Sequence, residues 1–142
     1  MKLTDLAIGD LILINNTPHK IQAIDSIDAE VQADDELYYV GEDRCHSEDK
    51  IEGIPITPEI LEKNGFEMFK YDGWVHYYRI FGNSAIPFVL HSMIGGEMLS
   101  QEVDIFSTST DTNCGIEVNY VHELQHALRL CGLNELADNF KV

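Results

Sequence analysis

The segment ITPEILEKNGF at positions 56–66 constrains the fold more tightly than any other. Thr57 offers a side-chain oxygen to the first free backbone N–H groups of a helix, and Pro58 at the first helical position loses no needed hydrogen bond. Glu59 favours the positive end of the helix dipole. Gly65 can take the left-handed conformation that ends a helix. Ile56 with Leu61 makes the N-terminal staple, and Leu61 with Phe66 the closing apolar contact. The pattern predicts a helix of about two turns, pinned at both ends.

Ahead of this helix the chain reads as short strands. An apolar run at 11–14 is followed by Asn15, Asn16 and Pro18, which is turn chemistry, and then by a strand at 20–24. Ile27, Ala29 and Val31 alternate with Asp28 and Glu30, the period-two signature of a half-buried strand. Residues 37–40 make a fourth. Strands this short, with turns between them, predict a strongly bent sheet or an SH3-like barrel.

A second strand-rich stretch follows the helix. Residues 74–81 alternate loosely, Gly82, Asn83 and Ser84 turn, and 85–90 is apolar. Pro87 cannot donate to a ladder, so that strand is expected at an edge or with a bulge. Gly95 and Gly96 turn again, 98–106 reads as another strand, and 107–115 reads as a polar loop. Ile116 and Val118 begin a short last strand. It runs into the longest helix, where Val121, Leu124, Leu128 and Cys131 form one apolar stripe that Ala127 and Leu130 widen. Gly132 is the natural terminator, Leu133 can close onto Leu128, and Asn134 can cap a last short turn. The fold class predicted is α+β: an N-terminal bent β-sheet or SH3-like barrel, a short capped helix, and a second antiparallel sheet packed with a C-terminal amphipathic helix. No repeat or linker divides residues 1–142, so a single domain is expected.

Charge excludes several functions. Nine Lys and Arg against 25 Asp and Glu give a formal net charge of −16. The basic residues are scattered, whereas nucleic-acid affinity rests on clustered Lys and Arg that release counterions. Direct nucleic-acid binding and docking to an anionic membrane are not expected. The 25–49 segment holds ten acidic residues and one basic one, Arg44. It reads as a solvated face or, alternatively, as a surface that mimics nucleic acid and inhibits a host nucleic-acid-binding protein. Three cysteines, Cys45, Cys114 and Cys131, are widely and irregularly spaced, which fits a reducing compartment. Cys45 and His46 are expected in a charged, solvated loop. With no apolar leader and no run of about 20 apolar residues, a cytoplasmic location is expected.

One motif carries possible chemistry. His122, Glu123 and His126 match H-E-x-x-H on a predicted helix, where two imidazoles at i and i+4 can share a zinc ion and the Glu can act as base on a bound water. The extended form would need Gly at 129 and His at 132, and the chain has Arg129 and Gly132. Glu135 lies just past the helix end. With Val121, Leu124, Leu128 and Cys131 facing the core, His122, His126 and Arg129 are expected on the wetter side. No catalytic, cofactor-binding or metal residue is therefore assigned and no cofactor is expected. A small zinc-dependent hydrolase built on His122, Glu123 and His126 stands as an alternative. Trp74, Tyr77 and Tyr78 read as core and sheet-face aromatics.

Three segments together, LAIGDLILINNTPHKI, IEGIPITPEILEKNGF and IEVNYVHELQHALRLCGLNEL, resemble a group of small uncharacterised proteins encoded in prophages and mobile elements of gut anaerobes. That group carries an I-P-(I/L)-T-x-E-x-L-x-x-x-G-F segment and a C-terminal Y-V-H-x-L-Q helix. The resemblance implies a phage-associated cytosolic protein and no activity. The group's helix lacks the second histidine, so Glu123 and His126 are local features of this chain. The expected function is binding to a protein partner, without catalysis.

Overall fold

The computed structural model describes residues 2–25, 30–33, 45–47, 50–71, 74–79, 88–92, 101–107 and 110–142, and from 88 to 117 it describes backbone and register. After a 3-10 turn (Leu3–Asp5), β1 (Leu11–Ile14) and β2 (Thr17–Asp25) form a hairpin with Ile14 opposite Thr17. Its two-residue turn places Asn15 and Asn16 at positive φ, 52° and 61°. This is the type I′ geometry whose twist matches the strands and which asparagine tolerates. β2 starts earlier than expected because Thr17 and Pro18 complete the ladder opposite Ile14 and Leu13.

A register shift between Ile21 and Ala23 lets β2 pair with β1 by its first half and with β3 (Glu30–Ala33) by its second. β4 (Cys45–Ser47) lies beside β3, and β5 (Ile51–Gly53) returns to the other side of β1, giving the order β4-β3-β2-β1-β5. The bent sheet expected from the sequence is present. Among the described residues no ladder joins β4 to β5, so the sheet is open and no barrel closes. Cys45 and His46, expected in a loop, belong to β4, where they stand opposite Gln32 and Val31. Positions 27–29, the strand expected at 37–40 and most of the acidic 25–49 segment lie outside the described residues.

α1 (Pro58–Lys63) forms as its sequence dictates. Thr57 Oγ1 accepts from Ile60 N at 3.3 Å. Gly65 has φ +79°, and Phe66 N donates to Leu61 O at 3.0 Å. Ile56, Leu61 and Phe66 are all buried.

The second sheet runs β10-β9-β8-β7-β6, from β6 (Glu67–Tyr71) through β7 (Trp74–Arg79), β8 (Phe88–Ser92) and β9 (Gln101–Ser107) to β10 (Thr110–Val118), antiparallel throughout. Residues 110–115, expected as a polar loop, are strand. Pairing with β9, interrupted by a register shift between Thr110 and Cys114, overrides their turn-like composition. β8 (Phe88–Ser92) is an interior strand rather than an edge, the first of the two options offered for the strand holding Pro87, and Pro87 itself lies outside the described residues. One row of opposite positions reads Met68, Tyr77, Leu90, Val103 and Ile116, apolar on every strand. It includes Tyr77, which is buried in the main core.

α2 (Val121–Leu130) and α3 (Asn134–Asp138) close the chain. Gly132 has φ +77° and Leu133 N donates to Leu128 O at 2.9 Å, the predicted terminator. Two clusters make the interior. Leu61, Phe66, Tyr77, Val118, Val121, Leu124, Leu128 and Phe140 belong to one; Leu6, Ile12, Ile14, Ile21, Val31 and Ile51 belong to the other. β1 separates them, with Leu11 and Leu13 against the first and Ile12 and Ile14 in the second. A strand covered on both faces explains why LILI is apolar without alternation.

Candidate functional site

The His122, Glu123 and His126 motif lies on α2, and each of its side chains is engaged within the fold. One carboxylate oxygen of Glu123 accepts from the backbone N–H of Asn119 at 2.6 Å and of Tyr120 at 3.0 Å. The side chain thus folds back over the free N–H groups at the start of its own helix, the carboxylate half of a capping box. A carboxylate held there is turned away from the role of base on a metal-bound water.

His126 faces the turn before β1. Gly9, at φ +92°, and Asp10 are held there by Gly9 N to Ile21 O (2.8 Å) and Ile21 N to Asp10 O (2.9 Å). The Asp10 side chain is fully buried and meets three donors: Ala7 N and His126 Nε2, each 2.7 Å from Oδ2, and Arg129 Nη1, 2.8 Å from Oδ1. A carboxylate accepts only, so His126 Nε2 carries the hydrogen. Arg129 continues to Asp138 Oδ1 on α3 at 3.3 Å. Spacing explains the geometry: 126 and 129 are i and i+3 on one helix face, so both reach one carboxylate.

Gln125 completes this lock. It is fully buried; Oε1 accepts from Leu11 N at 2.9 Å, and Nε2 donates to Gly9 O at 3.1 Å and Ala137 O at 2.8 Å. One side chain on α2 therefore joins β1, the preceding turn and α3. A buried amide with three partners avoids the penalty of unpaired polar groups.

His122 departs from expectation. It is 2% exposed rather than on the wetter side. Its ring stacks on Tyr120 at 5.8 Å between centroids and presents an edge arrangement to His126 at 6.0 Å. Nδ1 is buried without a hydrogen-bond partner among the described residues. Burial pulls its pKa below the ordinary histidine value; the charges of Glu123, Asp10 and Asp5 oppose this and His126 adds to it. The apolar stripe itself is placed as predicted at Val121, Leu124 and Leu128. Cys131 is half-buried, and desolvation raises its thiol pKa, which disfavours the reactive thiolate. Leu130, expected to widen the stripe, is 76% exposed. The turn at Gly9 and Asp10 covers the flank of α2 that carries Gln125 and His126, and nothing local in the helix sequence announces that partner.

Among the described side chains, no group of three or more His, Cys, Asp or Glu is gathered as a metal centre. Among the described residues, no helix is long and apolar enough to cross a membrane. The polar residues that matter most to this site, Asp10 and Gln125, were not singled out from sequence. A lone acid after a glycine and a lone amide in a helix give no signal until the fold joins them. No protein-family model, curated protein or solved structure matches the chain.

Proposed function

We propose that the chain is a non-enzymatic protein-binding module of a mobile element, which takes an extended, basic segment of its partner along strand β6. The observation that carries this reading is the composition of that strand. Among the described residues β6 is the last strand of its sheet, and Met68 and Phe69 on it are 48% and 41% exposed. Large apolar side chains on an outer strand suit strand addition, in which main-chain hydrogen bonds supply affinity and alternating side chains supply register. A net charge of −16 draws a basic partner and speeds its approach. The engagement of Glu123, His126 and Gln125 inside the fold supports a binding role over a catalytic one. The association with mobile elements rests on the three segments quoted above.

The test is affinity capture from a lysate of the encoding organism, using the wild-type chain and a Met68→Asp, Phe69→Asp double variant of matched melting temperature. One polypeptide retained by the wild type, released by salt and lost by the double variant is the expected result. Equal retention by both, or none by either, refutes the reading. Release by added DNA would instead favour the acidic mimic of nucleic acid.

A further inference from the structure

Three side chains of the second sheet meet on one face of β6 and β7. Glu67 and Tyr78 stand directly opposite each other on the two strands, and the Tyr78 hydroxyl donates to Glu67 Oε2 at 2.7 Å. Phe69, two positions along β6, meets the same tyrosine ring edge-on, with centroids 5.5 Å apart and planes at 69°. This face is turned away from the core. Glu67 and Phe69 are exposed, whereas Tyr77, the chain neighbour of Tyr78, is buried in the main apolar cluster.

The hydrogen bond fixes the carboxylate beside the rings. It also raises the pKa of the Tyr78 phenol, and the Glu67 charge adds to this, so the hydroxyl stays a donor at neutral pH. A carboxylate has about four lone-pair sites, and Tyr78 occupies one. The faces of aromatic rings are negative, so the two rings and the carboxylate attract a cation in the same sense. Arg79, next along β7, is held elsewhere: its Nη1 donates to Asn64 O at the end of α1, and its guanidinium lies against Gly65.

A strand added along β6 puts every second residue on this face, with its Cβ about 5 Å from that of Glu67 or Phe69 and diagonal neighbours within reach of a long side chain. We propose that Glu67, Phe69 and Tyr78 form a subsite for one arginine side chain of the partner segment, which sets the register of strand addition; this rests on the binding along β6 proposed above. A guanidinium can lie flat on an aromatic ring while its N–H fork reaches a carboxylate, which an ammonium cannot do. The net charge of −16 draws any basic segment but selects no position within it, and this subsite does.

The experiment follows amide NMR spectra of the labelled full chain during titration with the peptide acetyl-Val-Arg-Val-amide, and with the same peptide carrying lysine or the neutral isostere citrulline. The arginine peptide should give its largest shifts at Glu67, Phe69 and Tyr78. It should bind about 3-fold more tightly than the lysine peptide and about 5-fold more tightly than the citrulline peptide. Glu67→Gln should remove the preference over citrulline, and Phe69→Leu the preference over lysine; both positions are exposed, so both variants keep the fold. No shift at millimolar arginine peptide overturns the proposal. So do shifts centred elsewhere, equal binding of arginine and citrulline peptides, or a preference that survives Glu67→Gln. The outcomes also separate this subsite from the broader reading. Arginine-selective shifts here, with no partner captured through Met68 and Phe69, would uphold the subsite and refute the partner. A partner captured that way, with no arginine preference at Glu67, would do the reverse.

Discussion

Replacing Asp10 with Asn keeps the shape of a buried side chain and removes its charge and one acceptor. The carboxylate meets two N–H donors at Oδ2, from Ala7 and His126, and one at Oδ1, from Arg129. An amide has only one oxygen. With that oxygen at the Oδ2 position, its NH2 faces Arg129 Nη1, donor against donor; flipped, it faces two donors instead. The less damaging choice still loses a charge-assisted bond worth about 1.5–3 kcal/mol and weakens the bond to His126. A loss of about 3 kcal/mol follows, a large part of the roughly 5–15 kcal/mol of a whole domain. It lowers Tm by about 10 °C in a chain of this size. Asp138 contacts the same arginine from the surface, 58% exposed at the side chain, and Asp138→Ala should cost about 0.5 kcal/mol or less. Urea unfolding followed by circular dichroism, with equal m-values across variants, measures both. Asp10→Asn and Asp138→Ala losing the same small amount would refute the claim that the buried carboxylate holds α2 to the N-terminal turn.

Leu124 is fully buried and Leu130 is 76% exposed on the same helix, so Leu124→Ala should cost about 2–5 kcal/mol and Leu130→Ala under about 0.5 kcal/mol in thermal melts; similar losses would mean α2 is turned about its axis. Glu123→Ala should cost about 0.5–2 kcal/mol, because it uncaps the N–H groups of Asn119 and Tyr120; an unchanged urea midpoint would show the cap to be idle. His122 has a folded pKa below its ordinary value of 6.5. Its stabilising contribution is therefore full above that unfolded value and falls as pH drops below it, because the unfolded chain takes up the proton first. Urea midpoints between pH 7.5 and 5 should decline less steeply in His122→Gln than in the wild type, and superimposable slopes would contradict this.

Local chemistry in the sequence determined the elements whose forces are local. Thr57, Pro58 and Gly65 fix both ends of α1, Gly132 ends α2, and Asn15 with Asn16 makes the first hairpin turn, because capping and turn geometry act over a few residues. The apolar stripe of Val121, Leu124 and Leu128 was legible for the same reason: helical periodicity alone selects the inward face. Tertiary structure decided everything that depends on a distant partner. Residues 110–115 became strand because β9 offered a ladder, and β4 formed at Cys45 and His46 because β3 did. Gln125 was buried and His126 drawn to a buried carboxylate because the Gly9 and Asp10 turn, more than a hundred residues away in the chain, covers that flank. Hydrogen bonds and ion pairs between remote segments leave no periodic trace in sequence, since each partner alone is an ordinary polar residue.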